Sequence, residues 1–232
     1  MDIGQPIARV GAVVVAAGRG ERFGDAGKVF ASLGGKPLLA HSLLTLSAHP
    51  EISRMVLVLG DHTLQPGREL VATLGLGDVV VCTGGETRTA SVRAGLIALG
   101  SDYPLVAVHD AARPLLTHAV IDRVLTAARA GGAAVPVIPV SDTIHRALPD
   151  DSSGGVLNRT LLRAAQTPQI VRRDWLLQAL SLIADATDEG GLLQSAGFPV
   201  CLVEGDPANV KVTVPGDLVV AEVLLRQRES GA

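Results

Sequence analysis

Short apolar segments alternate with longer amphipathic segments along this chain, and the alternation constrains its fold more than any other feature. The apolar segments are rich in β-branched residues, as expected for strands of a parallel sheet that helices cover on both faces. The predicted strands are 10–16, 55–60, 79–82, 105–109, 133–139 and 200–203. The predicted helices are 38–48, 65–74, 89–99, 119–130, 173–184 and 215–228. This order indicates a doubly wound, mostly parallel α/β sheet of the Rossmann-like type.

Length and composition limit the classes of protein to which the chain can belong. Its 232 residues are 47% hydrophobic, which is enough for one full core, so we expect residues 1–232 to form a single domain. The formal net charge is −3, and only 2% of the residues are aromatic. Nucleic-acid binders are usually basic and stack bases on aromatic side chains, so we expect no nucleic-acid partner.

Cysteine usage and the N-terminal segment bear on where the protein works. Cys82 and Cys201 are isolated and lack metal-ligand spacing, which is typical of a reducing compartment. Residues 1–10 do not have the charged and apolar regions of a signal peptide, and no apolar segment is long enough to span a membrane. We therefore expect a cytoplasmic protein with no membrane partner and no protein metal site.

One segment interrupts the alternation. Residues 140–169 alternate polar and apolar side chains on both sides of a Pro-Asp-Asp-Ser-Ser-Gly-Gly turn. Such a pattern predicts a β-hairpin that protrudes from the sheet as an arm. A flexible surface loop is the alternative.

The loop after the first strand combines glycines with cations. Residues 18–24 read GRGERFG, one residue longer than the dinucleotide-binding motif, and Val29 replaces the Ser or Thr of a P-loop. Neither common phosphate-binding motif therefore fits. A glycine-rich turn with Arg22 and Lys28 nevertheless suits a phosphate ligand, because its amides can approach an anion and both side chains carry positive charge. The alternative is an ordinary surface turn with solvated cations.

A Gly-Gly turn at residues 84–85 leads into the predicted helix at 89–99. Thr87, Thr89 and Ser91 lie where this helix starts. Small hydroxyl side chains at this position usually cap the helix. Binding of a base or a ribose is the alternative.

Charged residues also lie close to other predicted strands. Asp110 follows the strand at 105–109, at the sheet edge where open α/β folds bind their ligands. Asp110 and Arg113 could equally form a local ion pair, and we interpret His109 as a packed strand residue. Lys211 lies among β-branched apolar residues, where a charge needs a partner that an anionic ligand would supply.

Seven short motifs occur one after another within the stretch from residue 14 to about residue 214. They read AAGRGERFG, GGETRTASVRAGL, VHDAARP, SDT, QTPQ, TDE and EGDPANVKVT. As a set they resemble the 2-C-methyl-D-erythritol 4-phosphate cytidylyltransferase family. The resemblance implies a nucleotidyltransferase fold, a homodimer formed through the β-arm, and CTP and a polyol phosphate as substrates. It also implies that Mg²⁺ is bound mainly through the CTP phosphates.

The resemblance assigns roles to individual residues. The implied catalytic cations are Arg22, Lys28 and Lys211. The implied nucleotide-binding residues are Ala16, Ala17, Gly18, Gly85, Glu86 and Ser91. The implied substrate-binding residues are Asp110, Arg113, Thr143, Thr167 and Arg159, the last being donated across the dimer. The absence of an obvious nucleophile–base pair agrees with these roles, because phosphoryl-type transfer depends on positioning and charge neutralisation.

The chain departs from the family's pattern at two places. It reads Gly27-Lys28-Val29 where the family commonly has Pro-Lys-Gln, and Glu86 stands where the family often has Asp. Two other functions stay open at this point. One is a related cytidylyltransferase that acts on ribitol 5-phosphate, which differs only in the polyol pocket. The other is a non-catalytic nucleotide-binding protein of the same fold.

Overall fold

The computed structural model describes residues 9–18 and 27–231. In chain order its strands are β1 (Val10–Ala16), β2 (Ser32–Leu33), β3 (Lys36–Pro37), β4 (Ile52–Leu59), β5 (Val80–Thr83), β6 (Leu105–Asp110), β7 (Ala133–Pro139), β8 (Ile144–Ala147), β9 (Ser153–Leu157), β10 (Arg163–Ala165), β11 (Gln169–Arg172) and β12 (Cys201–Glu204). The α-helices are α1 (Leu38–Ser47), α2 (Leu64–Thr73), α3 (Arg88–Leu99), α4 (His118–Gly131), α5 (Arg173–Leu182), α6 (Glu189–Ser195) and α7 (Pro215–Glu229). All the predicted strands and helices are present, with ends that differ by a few residues.

The main sheet has the order β5-β4-β1-β6-β11-β7, and β7 also pairs with β10 and β12. The pairs among β5, β4, β1 and β6 are parallel, as is the pair of β7 and β12, whereas β10 and β11 run antiparallel to their neighbours. The predicted doubly wound, mostly parallel sheet is therefore confirmed. Prediction missed β2, β3, β10, β11 and α6, because each has seven residues or fewer and is too short to show a clear period.

Helices cover both faces of the sheet. α1, α2 and α4 pack on one face, and α3, α5 and α6 pack on the other. Neighbouring residues of β1 point to opposite faces, so that Val14 joins the first core and Val13 the second, both fully buried. This explains why β1 is apolar throughout: burying either valine contributes about 1.5–3 kcal/mol.

The segment at 140–169 is divided between an arm and the main sheet. β8 and β9 form a separate two-stranded antiparallel sheet, so the predicted hairpin is present. It is shorter than predicted, however, because β10 returns to pair with β7 and β11 begins at Gln169. Val156 of the hairpin is 62% exposed. An isolated two-stranded hairpin is only marginally stable in water.

The segment ahead of α7 brings Lys211 to the end of β6. Val212 is fully buried in a third core cluster with residues of α7, and its N–H donates to the carbonyl of Ala112 at 2.8 Å. Asp217 in the first turn of α7 accepts from the N–H groups of Thr213 and Val214 at 2.6 and 3.0 Å. These bonds fix the backbone between Lys211 and the start of α7. Lys211 therefore has a defined position.

Candidate active site

A cleft of about 1090 Å³ opens at the carboxyl ends of β1, β4, β5 and β6. The chain reverses its direction of winding here, because β1 has β4 on one side and β6 on the other. Open α/β sheets bind ligands at such a position. The predicted site residues that line the cleft are Ala16, Ala17, Gly18, Lys28, Gly85, Glu86, Ser91, Asp110 and Lys211.

The turn between β5 and α3 forms one wall of the cleft. A side chain at Gly84 would come within 2.6 Å of both the Ala17 Cβ and the Ser91 Oγ, so only glycine allows this approach to β1. The Ser91 hydroxyl accepts from the Gly85 N–H at 3.2 Å and lies 3.0 Å from the Thr87 carbonyl, to which it donates. Ser91 thus holds the backbone of the wall, and exposed Glu86 lies on its rim.

The hydroxyls at the start of α3 have separate structural roles. Thr87 caps the helix by accepting from the Ala90 N–H at 3.1 Å, which confirms the capping interpretation for this residue. Thr89 is buried and donates to an Asp185 carboxylate oxygen at 2.9 Å. Side-chain hydroxyls therefore order this part of the cleft, and the backbone of the turn is the surface left to face a ligand.

The glycine-rich loop is described only in part. Arg22 and the rest of residues 19–26 lie outside the described residues, so the structure places Gly18 on one side of the gap and Lys28 on the other. Lys28 opens a short 3₁₀ helix that buried Val29 anchors to the core. The Lys28 Nζ donates to the Val212 carbonyl at 3.3 Å, which holds this cation on the side of the cleft that carries Lys211.

A four-membered ionic network lies at the floor of the cleft. Glu189 accepts from Arg88 through both carboxylate oxygens, Oε1 to Nη1 at 2.6 Å and Oε2 to Nη2 at 2.9 Å. Arg88 also donates to Asp110 Oδ1, from Nη2 at 3.3 Å and from Nε at 3.4 Å. The second oxygen of Asp110, Oδ2, accepts from the Lys211 Nζ at 2.6 Å. Two carboxylates and two cations thus link α6, α3, β6 and the segment ahead of α7.

The charges in this network determine the protonation of its members. Burial by itself would raise the pKa of Asp110, but Arg88 and Lys211 outweigh it and lower that pKa to about 2. Burial raises the pKa of Glu189, and the paired guanidinium opposes that rise. Burial acts to lower the pKa of Arg88, yet Glu189 and Asp110 raise it above its ordinary value. Asp110 is therefore ionised and Arg88 protonated throughout the physiological range.

The structure rules out one alternative and corrects one expectation from the sequence in this region. Asp110 forms ion pairs with Arg88 and Lys211 instead of a local pair with Arg113. The partner of Lys211 is accordingly a carboxylate of the chain, and no ligand is needed to supply one. The Lys211 side chain remains 41% exposed and lines the cleft.

Arg113 and Thr167 lie behind Asp110 and support it. Thr167 Oγ1 accepts from the Asp110 N–H at 3.0 Å and lies 3.0 Å from Nδ1 of His109. Burial lowers the pKa of fully buried His109 to about 4, so this imidazole is neutral and packed, as interpreted from the sequence. Arg113 donates to the carbonyls of Asn209 and Ala165 at 2.8 and 3.0 Å. Both predicted substrate-binding residues thus order the chain around Asp110.

Thr143 and Arg159 lie at the base of the arm. Both are exposed, and the Arg159 guanidinium donates to the carbonyl of Ser141. Among the described residues that line the cleft of the same chain, neither is present. The structure of one chain therefore does not bring them to the other site residues.

Sequence reasoning missed Arg88 and Glu189 as site residues. Both occur in quoted motifs, Arg88 in GGETRTASVRAGL and Glu189 in TDE. The signal for Glu189 was weak because two glycines, which disfavour a helix, directly follow it in the first turn of α6. The cap from Asp188, whose side chain accepts from the Gly191 N–H at 2.8 Å, starts the helix despite them.

This sheet order and this cleft define a Rossmann-like α/β protein of the nucleotidyltransferase type. A solved structure of 2-C-methyl-D-erythritol 4-phosphate cytidylyltransferase from Thermus thermophilus is similar, with a TM-score of 0.77 and 35% identity over 92% of this chain and 98% of that one. Residues 10–227 match the model of the 2-C-methyl-D-erythritol 4-phosphate cytidylyltransferase family, and the chain belongs to this family.

Relatives that carry the same description cover nearly the whole chain. One from Dehalococcoides mccartyi is 41% identical over 94% of this chain and 97% of its own length. Another from Streptomyces coelicolor is 39% identical over 97% of this chain and 88% of its own length. The resemblance inferred from the motifs is therefore confirmed over residues 10–227, a range that includes all the described residues that line the cleft.

Proposed function

We propose that this chain transfers a cytidylyl group from CTP to 2-C-methyl-D-erythritol 4-phosphate. The products are 4-diphosphocytidyl-2-C-methyl-D-erythritol and pyrophosphate, a step of non-mevalonate isoprenoid biosynthesis. The observation that carries the proposal is the family match over residues 10–227, which spans every segment that builds the cleft. The non-catalytic alternative is disfavoured because binding alone does not require this set of cations.

In the proposed reaction, a phosphate oxygen of the polyol substrate attacks the α-phosphorus of CTP, and pyrophosphate leaves. Negative charge grows on the oxygens of the five-coordinate phosphorus and on the leaving pyrophosphate, so cations that face these oxygens lower the barrier more than they strengthen ground-state binding. Lys28 and Lys211 line the same cleft and are the proposed contacts. We propose Arg22 as a third cation from the motif match alone.

The proposed polyol pocket centres on Asp110. Its carboxylate is held ionised in the cleft, where it can accept from substrate hydroxyl groups. Because Arg113 and Thr167 are committed to backbone groups and to His109, we propose that they position Asp110 and the chain next to it. Thr143 and Arg159 would then reach the pocket from the arm of a second subunit.

We propose that a homodimer is the working form. The exposed hairpin supports this, because burial against a partner would stabilise strands that are only marginally stable alone.

No helix within the described residues is long and apolar enough to cross a membrane. A cytoplasmic location is proposed from the two unpaired cysteines and the biosynthetic reaction.

The test of the function is pyrophosphate release by the purified protein with CTP and a divalent metal. Methylerythritol phosphate and ribitol 5-phosphate are compared as acceptors at matched concentrations. Turnover with methylerythritol phosphate at a far higher kcat/KM supports the proposal. A preference for ribitol phosphate would assign the chain to the related enzyme, and CTP binding without turnover of either would make it a binding protein.

We expect the enzyme to prefer CTP to UTP by at least about 10²-fold in kcat/KM. Uracil exchanges the donor and acceptor of the cytosine edge, which would leave backbone groups of the Gly84–Glu86 wall unpaired. Steady-state kinetics with both nucleotides measure the ratio. Ser91→Ala, which loosens this wall, should lower the ratio of the kcat/KM for CTP to that for UTP. Equal efficiency with CTP and UTP would remove this wall from base recognition.

We expect activity to require a divalent metal that the protein does not hold by itself. The positive charges of Arg88 and Lys211 next to Asp110 would repel a metal ion, and the described residues contain no cluster of His, Cys, Asp or Glu suited to a metal. Bound through the CTP phosphates, Mg²⁺ would neutralise triphosphate charge. A chelator should abolish turnover and added Mg²⁺ restore it, while metal analysis of the nucleotide-free protein finds no stoichiometric ion. A tightly held ion in that protein would contradict the prediction.

A further inference from the structure

The buried carboxylate of Glu189 stands out because the proposed reaction does not use it. Its side chain is 2% exposed, too deep to contact a substrate in the cleft. An ionised group at such a position is costly unless it is paired. Its pairing is unusually complete, since both oxygens bind separate nitrogens of Arg88 at 2.6 and 2.9 Å.

This pairing decides how Arg88 meets Asp110. With Nη1 engaged by Glu189 and Nη2 shared, Arg88 reaches only one Asp110 oxygen, Oδ1, at 3.3 Å or more. The other oxygen is left for Lys211 at 2.6 Å. A guanidinium prefers to bind a carboxylate through both oxygens. Without Glu189, Arg88 would turn to bind Asp110 in that manner and would compete with Lys211 for Oδ2.

We infer that Glu189 is a positioning residue for the transfer reaction, acting through Arg88 and Asp110 to hold the Lys211 ammonium at its place in the cleft. This inference rests on the proposed function for its kinetic consequence, but the geometry on which it depends exists without substrate. Displacing a reacting group or its charge partner by about 1 Å commonly costs about 10²-fold in rate. Glu189 thus belongs to the site although it never touches the ligand.

The first test uses Glu189→Gln, which keeps the shape of the side chain and removes its charge. We expect kcat to fall about 10²-fold, with a smaller change in the KM for CTP. Glu51→Gln is the matched control, because it makes the same change in a carboxylate that also pairs with an arginine, Arg129 at 2.8 Å, but does not line the described cleft. The control should retain near-wild-type turnover, and thermal unfolding of both variants checks that each is folded.

A double-mutant cycle with Lys211→Ala separates positioning from a general structural effect. If Glu189 acts through Lys211, Glu189→Gln should lower kcat much less in the Lys211→Ala background than in the wild type. Equal effects in the two backgrounds would overturn the inference. Wild-type turnover in the same assay tests the proposed function separately.

A spectroscopic readout removes the dependence on activity. The chain contains three lysines, Lys28, Lys36 and Lys211, so labelling with isotopic lysine produces a side-chain NMR spectrum that can be assigned. Glu189→Gln should shift the Lys211 signal, and Glu51→Gln should leave it in place. Arg88→Lys keeps the positive charge and loses the guanidinium that binds through two nitrogens. It should shift the Lys211 signal as Glu189→Gln does, and it replaces that variant if Glu189→Gln does not fold. A Lys211 signal unchanged in the folded variants would overturn the inference.

Discussion

Replacing Lys28 by alanine is expected to lower kcat about 10²–10³-fold, equivalent to roughly 3–4 kcal/mol of lost transition-state stabilisation. The KM for CTP should change much less. Lys28 lines the cleft at the end of the glycine-rich loop, and its Nζ reaches the Val212 carbonyl beside Lys211. From this place it would face charge that grows as the α-phosphorus becomes five-coordinate. Steady-state kinetics at saturating acceptor measure both constants.

The control is Lys36→Ala, which removes an exposed lysine from the short strand β3, away from the described residues of the cleft. It should leave both constants close to wild type, whereas general loss of positive charge would affect the two variants alike. If Lys28→Ala instead raised KM and left kcat intact, Lys28 would contribute ground-state binding only.

Mixing two inactive variants is expected to restore about a quarter of wild-type activity. The variants are Arg159→Ala, which changes the base of the arm, and Lys28→Ala, which changes the cleft. Arg159 is exposed and does not line the described cleft of its own chain, so the proposed dimer would bring it to the partner's site. A mixed dimer would then have one site with both changes and one with neither.

The experiment dissociates equal amounts of the two variants, lets them reassociate, and measures pyrophosphate release. Random pairing makes half of the dimers mixed, with one intact site in two, hence about a quarter of the activity. Mass-tagged subunits confirm the exchange. Arg146→Ala, also exposed on the arm, is the control and should be active before mixing. If exchange occurs and activity does not return, Arg159 acts within its own subunit.

The sequence by itself determined those helices and strands whose residue pattern follows from interactions within a few residues. β1 could be predicted because a strand covered on both faces must be apolar at every position, as Val13 and Val14 are. The start of α7 could be predicted because Pro215 suits a first helical turn and Asp217 satisfies its free N–H groups. These rules act within a few residues, so they can be applied without knowing the neighbours.

Motif matching also placed Asp110, Lys28 and Lys211 in one site before any distance was known, and the structure brings all three to one cleft. Motif matching did not identify the ion-pair partners of Asp110 and Lys211. A local ion pair of Asp110 with nearby Arg113 was an open alternative, although the Asp110 carboxylate binds Arg88 and Lys211, the latter 101 positions away in the chain. Proximity in the sequence suggested Arg113 as a partner, but the folded backbone does not bring its guanidinium to the Asp110 carboxylate.

Only the tertiary structure decided the ionic network and the division of the arm. Arg88 and Glu189 meet because α3 and α6 pack on the same face of the sheet, and α6 itself forms through the Asp188 cap and the burial of Leu192 and Leu193. An ion pair between distant elements has no sequence period and no spacing rule, since any two opposite charges attract when the fold brings them within a few ångströms. Which carboxylate each cation binds is therefore set by the packing of distant elements.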